Sequence, residues 1–180
     1  MARGFFRSRR GVVLALEPME VAVLRTAIAD LAQLVGPAQQ EDADPLAALV
    51  GIDEAVERPE DPALARLFPD AYTDDDEAAA EFRRYTDRRL RSLRSERAER
   101  CLETLSEVEK GRVTLAQEDE QAFLTVLNDL RLILGTRLEI TEDDTDPETI
   151  VAQDDPRRPL ADLYIWITWL QSALLHALAS

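Results

Sequence analysis

The stretch Asn128-Asp129-Leu130-Arg131-Leu132-Ile133-Leu134-Gly135-Thr136-Arg137-Leu138 sets an acid and a guanidinium into a run that otherwise reads as a buried helix. Successive helical residues are about 100° apart, so Asp129 and Arg131 lie roughly 200° apart around the axis and cannot pair with each other. Each must find its partner on a neighbouring element, because a buried charge left alone is costly. The segment therefore marks a position that either specifies helix packing or contacts a ligand. It does not name a reaction.

Working outward, this helix runs from about Glu118 to Leu138. Ahead of it Gly111 breaks the chain and Val113-Thr114-Leu115 reads as a short strand. Beyond it, Thr141 to Arg158 is acidic and contains proline, which reads as a loop, and Pro159 opens the last helix. Leu160 to Ala179 is the most hydrophobic segment, but Asp162, Gln171 and His176 interrupt it, so a buried helix fits better than a membrane span. Asn128, Asp129 and Arg131 then face that helix in one of two ways. They line a pocket with Gln171 and the indole N–H groups of Trp166 and Trp169, or they form a structural network that fixes helix register. The network is favoured. Under that reading, loss of Arg131 strands Asp129 and costs about 3–5 kcal/mol.

Towards the N-terminus, Gly11 to Leu16 reads as a strand, with Phe5 and Phe6 as the other arm of a hairpin. Pro18 opens a helix from about Met19 to Val35, whose Val21, Leu24, Ile28, Leu31 and Val35 form one apolar stripe. Two short helices follow, Pro45 to Val50 and Pro62 to Leu67, each opened by Asp-Pro. A hundred-residue offset aligns Gly11, Val13, Glu20, Ala22, Leu24 and Leu34 with Gly111, Val113, Glu120, Ala122, Leu124 and Leu134. The two strand-then-helix units read as related, and pairing of their strands would satisfy both backbones.

Between them lies a long helix, opened by Asp74-Asp75-Asp76-Glu77 and running to about Val108, with a predicted core stripe of Phe82, Thr86, Leu90, Leu93, Cys101, Leu105 and Val108. Eight arginines against three acids between Arg83 and Arg100 give that region net +5 in a chain of net charge -15. A basic face of Arg83, Arg84, Arg88, Arg91 and Arg94 has three readings. It is solvated, it docks the chain's own acidic stretch from Glu41 to Glu81, or it grips an acidic partner or a nucleic-acid backbone, the last of which the overall acidity disfavours. Cys101, the sole cysteine, falls on the apolar stripe, where a core position is expected; the alternative is a reactive redox thiol beside Arg97 and Arg100. No disulfide within one chain is possible.

The order of motifs resembles a family of actinobacterial proteins known as a domain of unknown function and as actinomycete oxidative stress regulators. The resembling residues are Asp61-Pro62-Ala63-Leu64-Ala65-Arg66-Leu67-Phe68-Pro69-Asp70-Ala71-Tyr72, Glu81-Phe82-Arg83, Asn128 to Gly135, and Tyr164-Ile165-Trp166-Ile167-Thr168-Trp169-Leu170-Gln171. The resemblance implies a mainly helical cytosolic protein without assigned catalytic residues, acting in stress-linked transcriptional control through a protein partner. Where that role rests on paired cysteines, this chain departs from it.

The expectation is one mainly α-helical domain over residues 1–180, a helical bundle with a short β-hairpin or two-stranded element. Residues 1–10 form a basic tail or hairpin arm, and 141–158 an acidic loop. The hydrophobic last helix is expected to pack centrally against the helices of Met19, Phe82 and Asn128. The acidic runs lack calcium-loop spacing, and no zinc, phosphate-loop or nucleophile pattern is present, so neither metal nor cofactor is expected. Function is expected to be regulatory and not enzymatic, cytoplasmic, through protein partners including transcription machinery. A homo-oligomer is compatible with this, and nucleic acid or a small ligand at Asn128, Asp129 and Arg131 is the alternative.

Overall fold

The computed structural model describes residues 4–36, 58–72, 74–108, 111–141, 151–152 and 154–180. Strands β1 (Gly4–Ser8) and β2 (Gly11–Ala15) form an antiparallel hairpin, and β3 (Arg112–Thr114) pairs antiparallel with the other edge of β2. Around this small sheet stand α1 (Pro18–Val35), α2 (Pro62–Leu67), α3 (Asp76–Ser106), α4 (Gln117–Arg137) and α5 (Arg158–Ala179). The fold is mainly α with a minor β element. The basic N-terminal residues supply a hairpin arm, and hairpin and strand pairing occur together in one three-stranded sheet. The expected Pro45 to Val50 helix and most of the 141–158 loop lie outside the described residues.

Helix starts follow local chemistry. Pro18 occupies the first turn of α1, and the Glu17 backbone N–H donates to Glu20 Oε2 at 2.8 Å. In α4 the Ala116 N–H donates to Asp119 Oδ2 at 2.9 Å, the same device at an offset of 99 residues, one short of the repeat. Asp61 caps α2 and Asp75 caps α3, each carboxylate accepting from a backbone N–H of the first turn.

The hundred-residue offset is consistent with the strand register. Val13 faces Thr114 and Leu14 faces Val113, so each strand meets the other as its own counterpart would across a local twofold axis. Leu16 N–H donates to Gly111 O, and Leu115 N–H to Val12 O. Gly111 has φ +77°, and a Cβ there would lie 3.1 Å from the Leu16 carbonyl oxygen, so the turn into β3 requires glycine.

The core joins both units. Leu14, Leu24, Ile28, Leu31, Phe123, Leu127, Ile167, Leu170 and Leu174 are fully buried, and the Phe5 ring meets Phe123 edge-on at 5.5 Å. The central element is α4 and not α5. Helix α4 touches α1, α2, α3 and α5, whereas α5 packs on α4 and the sheet, mainly β1, and leaves Trp169 44% exposed. The reason lies in its sequence: α5 is apolar on most sides, but only one side finds a partner.

The stripe expected on α3 holds in its C-terminal half, where Ala98, Cys101 and Leu105 are buried. It fails in the N-terminal half. Phe82 and Leu90 are 43% and 41% exposed, and the inward positions belong to Ala79, Asp87 and Arg91. Replacement Gly111→Ala forces a side chain into the left-handed region and is expected to cost about 1–2 kcal/mol in urea or thermal unfolding.

Candidate functional site

The inward face of α3 repeats in steps of four and three through Asp87, Arg91, Arg94, Ala98, Cys101 and Leu105. Its first three members are charged, and each charge is answered. Arg91 Nε donates to Asp87 Oδ2 at 2.5 Å, one turn back, and its guanidinium lies 4.6 Å from the Phe68 ring centre. Arg91 Nη1 also reaches the Gly36 carbonyl at the end of α1, at 3.5 Å. Arg94 donates through Nη1 to both carboxylate oxygens of Asp129 at 2.5 Å and through Nη2 to the Leu67 carbonyl at 2.9 Å. One guanidinium thereby joins α3, α4 and the open end of α2.

The same helix holds the residues that follow α2. Arg83 pairs with Asp70, which Arg58 also approaches at 3.6 Å, and Arg137 of α4 lies 4.0 Å from the α2 cap Asp61. Phe68 sits under both Arg91 and Arg94, the latter 5.3 Å from its ring centre. Arginines expected on an outer basic face are thus divided. Arg83, Arg91 and Arg94 turn inward onto the fold: Arg83 meets Asp70 of the Glu41 to Glu81 stretch, whereas the acids that Arg91 and Arg94 meet, Asp87 and Asp129, lie outside it, and Arg84 is exposed beside the Tyr85 ring and Arg88 is half-buried.

The polar cluster expected between α4 and α5 separates into two. Asp129, 2% exposed, belongs to Arg94 on the α3 side. Arg131, on the opposite side of α4, donates through Nε to Thr168 Oγ1 at 3.1 Å and through Nη1 to Gln171 Oε1 at 2.5 Å. Thr168 Oγ1 in turn donates to the Tyr164 carbonyl at 2.8 Å. The angular argument therefore holds: both charges look to neighbouring helices, in opposite directions.

Three expectations change. Asn128 is exposed and outside the cluster. Trp166 packs half-buried against the core, and Trp169 lies over Gly4, where an added Cβ would come 2.7 Å from the indole; among the described residues neither indole hydrogen-bonds to Asp129 or Arg131. Loss of Arg131 would not strand Asp129, because Arg94 is its counter-ion.

A cavity of about 410 Å³ lies between α1, α4 and α5, lined mostly by leucines such as Leu31, Leu34, Leu130 and Leu163, with Asp30, Gln33 and Arg137 as polar members. None of the cluster residues lines it.

Two titratable groups are strongly placed. Burial pushes the Asp129 carboxyl above its usual range, and the hydrogen bonds and charge of Arg94 oppose that rise. Burial, aided by Asp119 and opposed by Arg100, pushes the Cys101 thiol far up, as befits a residue with no exposed surface. The apolar periodicity could not register the Arg94 site, because its inward positions are charged. A usable signal was present: continuing the Leu105, Cys101, Ala98 spacing backwards lands on Arg94, Arg91 and Asp87.

Arg94→Met removes the counter-charge of a buried carboxylate and is expected to cost about 3–5 kcal/mol at neutral pH. Asp129 in that variant has a folded-state pKa raised still further above its unfolded value. Its protonation therefore favours the folded form as pH falls through that raised value, and the deficit relative to the parent narrows in acid. Arg131→Met, which leaves only neutral partners, is expected to cost about 1–2 kcal/mol with little pH dependence. Urea unfolding of the three proteins at neutral and acid pH measures both effects.

A family model described as "Domain of unknown function (DUF2017)" matches residues 2–178. The chain is 36% identical over 176 residues to the putative oxidative stress regulator AosR of Mycobacterium leprae, covering 89% of this chain and 79% of that protein. It is 32% identical over 182 residues to the oxidative stress regulator AosR of Mycobacterium tuberculosis, covering 91% and 80%. The AosR protein of Mycobacterium bovis matches equally. No solved structure matches. With the family model spanning nearly all of its residues, the chain belongs to the DUF2017 family.

Proposed function

We propose that this protein is a non-catalytic regulator in the response to oxidative stress, acting by binding another protein. The observation that carries the reading is where its polar side chains end. Arg83, Arg91, Arg94 and Arg131 each direct a guanidinium into the chain's own fold, onto Asp70, Asp87, Asp129 and Gln171. Such pairings serve packing, and what remains on the surface is suited to recognition. Met19, Tyr72, Phe82, Tyr85, Trp169 and Leu175 are among the large apolar side chains left exposed. Exposed aromatic side chains are enriched where proteins dock. The names of the mycobacterial relatives support a stress-linked regulatory role, and the engagement of three of the five face arginines weakens the nucleic-acid alternative.

Sensing by this chain's own thiol is disfavoured. A buried thiol held in its neutral form is a poor nucleophile towards peroxide, and no second cysteine exists to resolve a sulfenic acid within the chain. The oxidation signal on this reading arrives through the partner.

Cys101 is expected to resist a thiol-labelling reagent in the native protein and to react fully in denaturant. The tagged protein is expected to capture a stoichiometric protein from native lysate, and Cys101→Ala to capture it equally under reducing and oxidising conditions. Absence of any stoichiometric protein under both conditions would rule the reading out.

A further inference from the structure

Helix α3 carries a second stripe with the four-and-three repeat, on the side away from the bundle: Ala78, Phe82, Tyr85, Arg89, Ser92 and Glu96. From Phe82 onwards every member is exposed, and Tyr85 is 52% exposed. Tyr72 lies edge-on to Phe82, with ring centres 6.3 Å apart, and widens the patch. A heptad spacing with aromatic and arginine members is the pattern of a helix that meets another helix. The inward heptad of α3 is already occupied by α1 and α4.

We propose that this face pairs antiparallel with the same face of a second copy of the chain, forming a twofold dimer centred on Tyr85. The sequence of the stripe is self-complementary in that arrangement and in no parallel one. Tyr85 meets its own counterpart, Phe82 meets Arg89 of the second copy, Ala78 meets the equally small Ser92, and Glu81 stands beside Arg89. Twofold symmetry makes each of these contacts twice.

The charge along α3 runs the same way. Asp74, Asp75, Asp76, Glu77 and Glu81 make its first part acidic, and the exposed Arg84 and Arg89 follow. Antiparallel pairing about Tyr85 sets Glu81 of one copy beside Arg89 of the other, and Asp74 to Glu77 fall opposite Leu93 to Glu96, outside the Ala78 to Ser92 contact. A polyphosphate backbone would meet that acidic end directly beside Phe82 and be repelled.

From Ala78 to Ser92 the contact is about 21 Å long. Such a span buries less than a standard stable interface, so the dimer is weak and concentration-dependent. This inference does not depend on the regulatory reading.

Sedimentation equilibrium of the full chain, over a concentration series from low to high micromolar, tests it. The parent is expected to associate reversibly and to dissociate as salt is raised. Glu81→Arg alone and Arg89→Glu alone each place like charges together twice, and each is expected to weaken association about tenfold or more. An equimolar mixture of the two variants re-forms both unlike pairs and is expected to recover the parental association. Circular dichroism confirms that the variants are folded, as both positions are exposed. A parent that stays monomeric at every concentration overturns the proposal, as does a single variant that associates like the parent. A mixture that fails to recover also overturns it, because it removes the pairing of Glu81 with Arg89.

Discussion

The structure depends on a carboxylate that cannot be left alone. Asp129 sits almost wholly buried in the middle of α4, the helix that touches α1, α2, α3 and α5. Taking that charge out of water is unfavourable by several kcal/mol unless a counter-charge meets it with good geometry. Arg94 supplies both the charge and the geometry, with one nitrogen on both carboxylate oxygens. The requirement fixes more than a pair. Because the same guanidinium also donates through its other terminal nitrogen to the Leu67 carbonyl, the axial position of α3 along α4 and the end of α2 are set together. A slide of α3 by one turn in one direction would put Ala98 opposite Asp129 and leave the carboxylate unpaired; in the other it would put Arg91 there and take it from Asp87 and the Gly36 carbonyl. Buried ion pairs are weak sources of net stability, but they discriminate strongly between one register and the next.

That constraint explains which parts of the fold were readable from the chain. Helix α1, α2, the C-terminal part of α3, α4 and α5 all follow apolar periodicity, proline starts and acidic caps, which are local signals. The solitary Asp129 and Arg131 were readable as charges requiring partners on other elements, since an angle of roughly 200° is a property of any helix. The identity of the partners was not readable. Periodicity methods weigh apolar residues, and on α3 the inward register passes from Leu105 and Cys101 to Arg94, Arg91 and Asp87 without changing its spacing. The apolar residues of that half, Phe82 and Leu90, then suggest a core face where there is a surface. Asn128 misled for the opposite reason: adjacency to Asp129 in sequence places it about 100° away around the helix, on the solvent side.

The sheet joins two halves that the sequence relates only faintly. Six matching residues at an offset of one hundred are weak alone, but the β2 to β3 register matches Val13 with Thr114 and Leu14 with Val113, the arrangement a local twofold demands. Both units also begin their helices with an acid at the third helical position accepting from the preceding backbone N–H. Two short strands that would be marginal alone satisfy each other, and β1 extends the sheet on the free edge of β2. The pairing places α1 and α4 on a shared core, which is where Leu24, Ile28, Phe123 and Leu127 meet.

Helix α3 therefore serves two masters with one spacing. Its inward heptad is clamped by Asp129, Phe68 and the Gly36 and Leu67 carbonyls, so the helix cannot rotate about its own axis without breaking several charge-assisted bonds. Rotation is what would otherwise blur the outward stripe, since a turn of about 100° replaces each exposed residue with its sequence neighbour. By holding the inside, the Arg94 and Arg91 contacts hold Phe82, Tyr85 and Arg89 at fixed positions on the outside. A surface fixed in this way loses little freedom when it is covered, and preorganisation of that kind lowers the cost of association without adding a single contact. Asp129, which the sequence left open to a ligand, is better understood through Arg94 as what gives the outward face of α3 a defined shape.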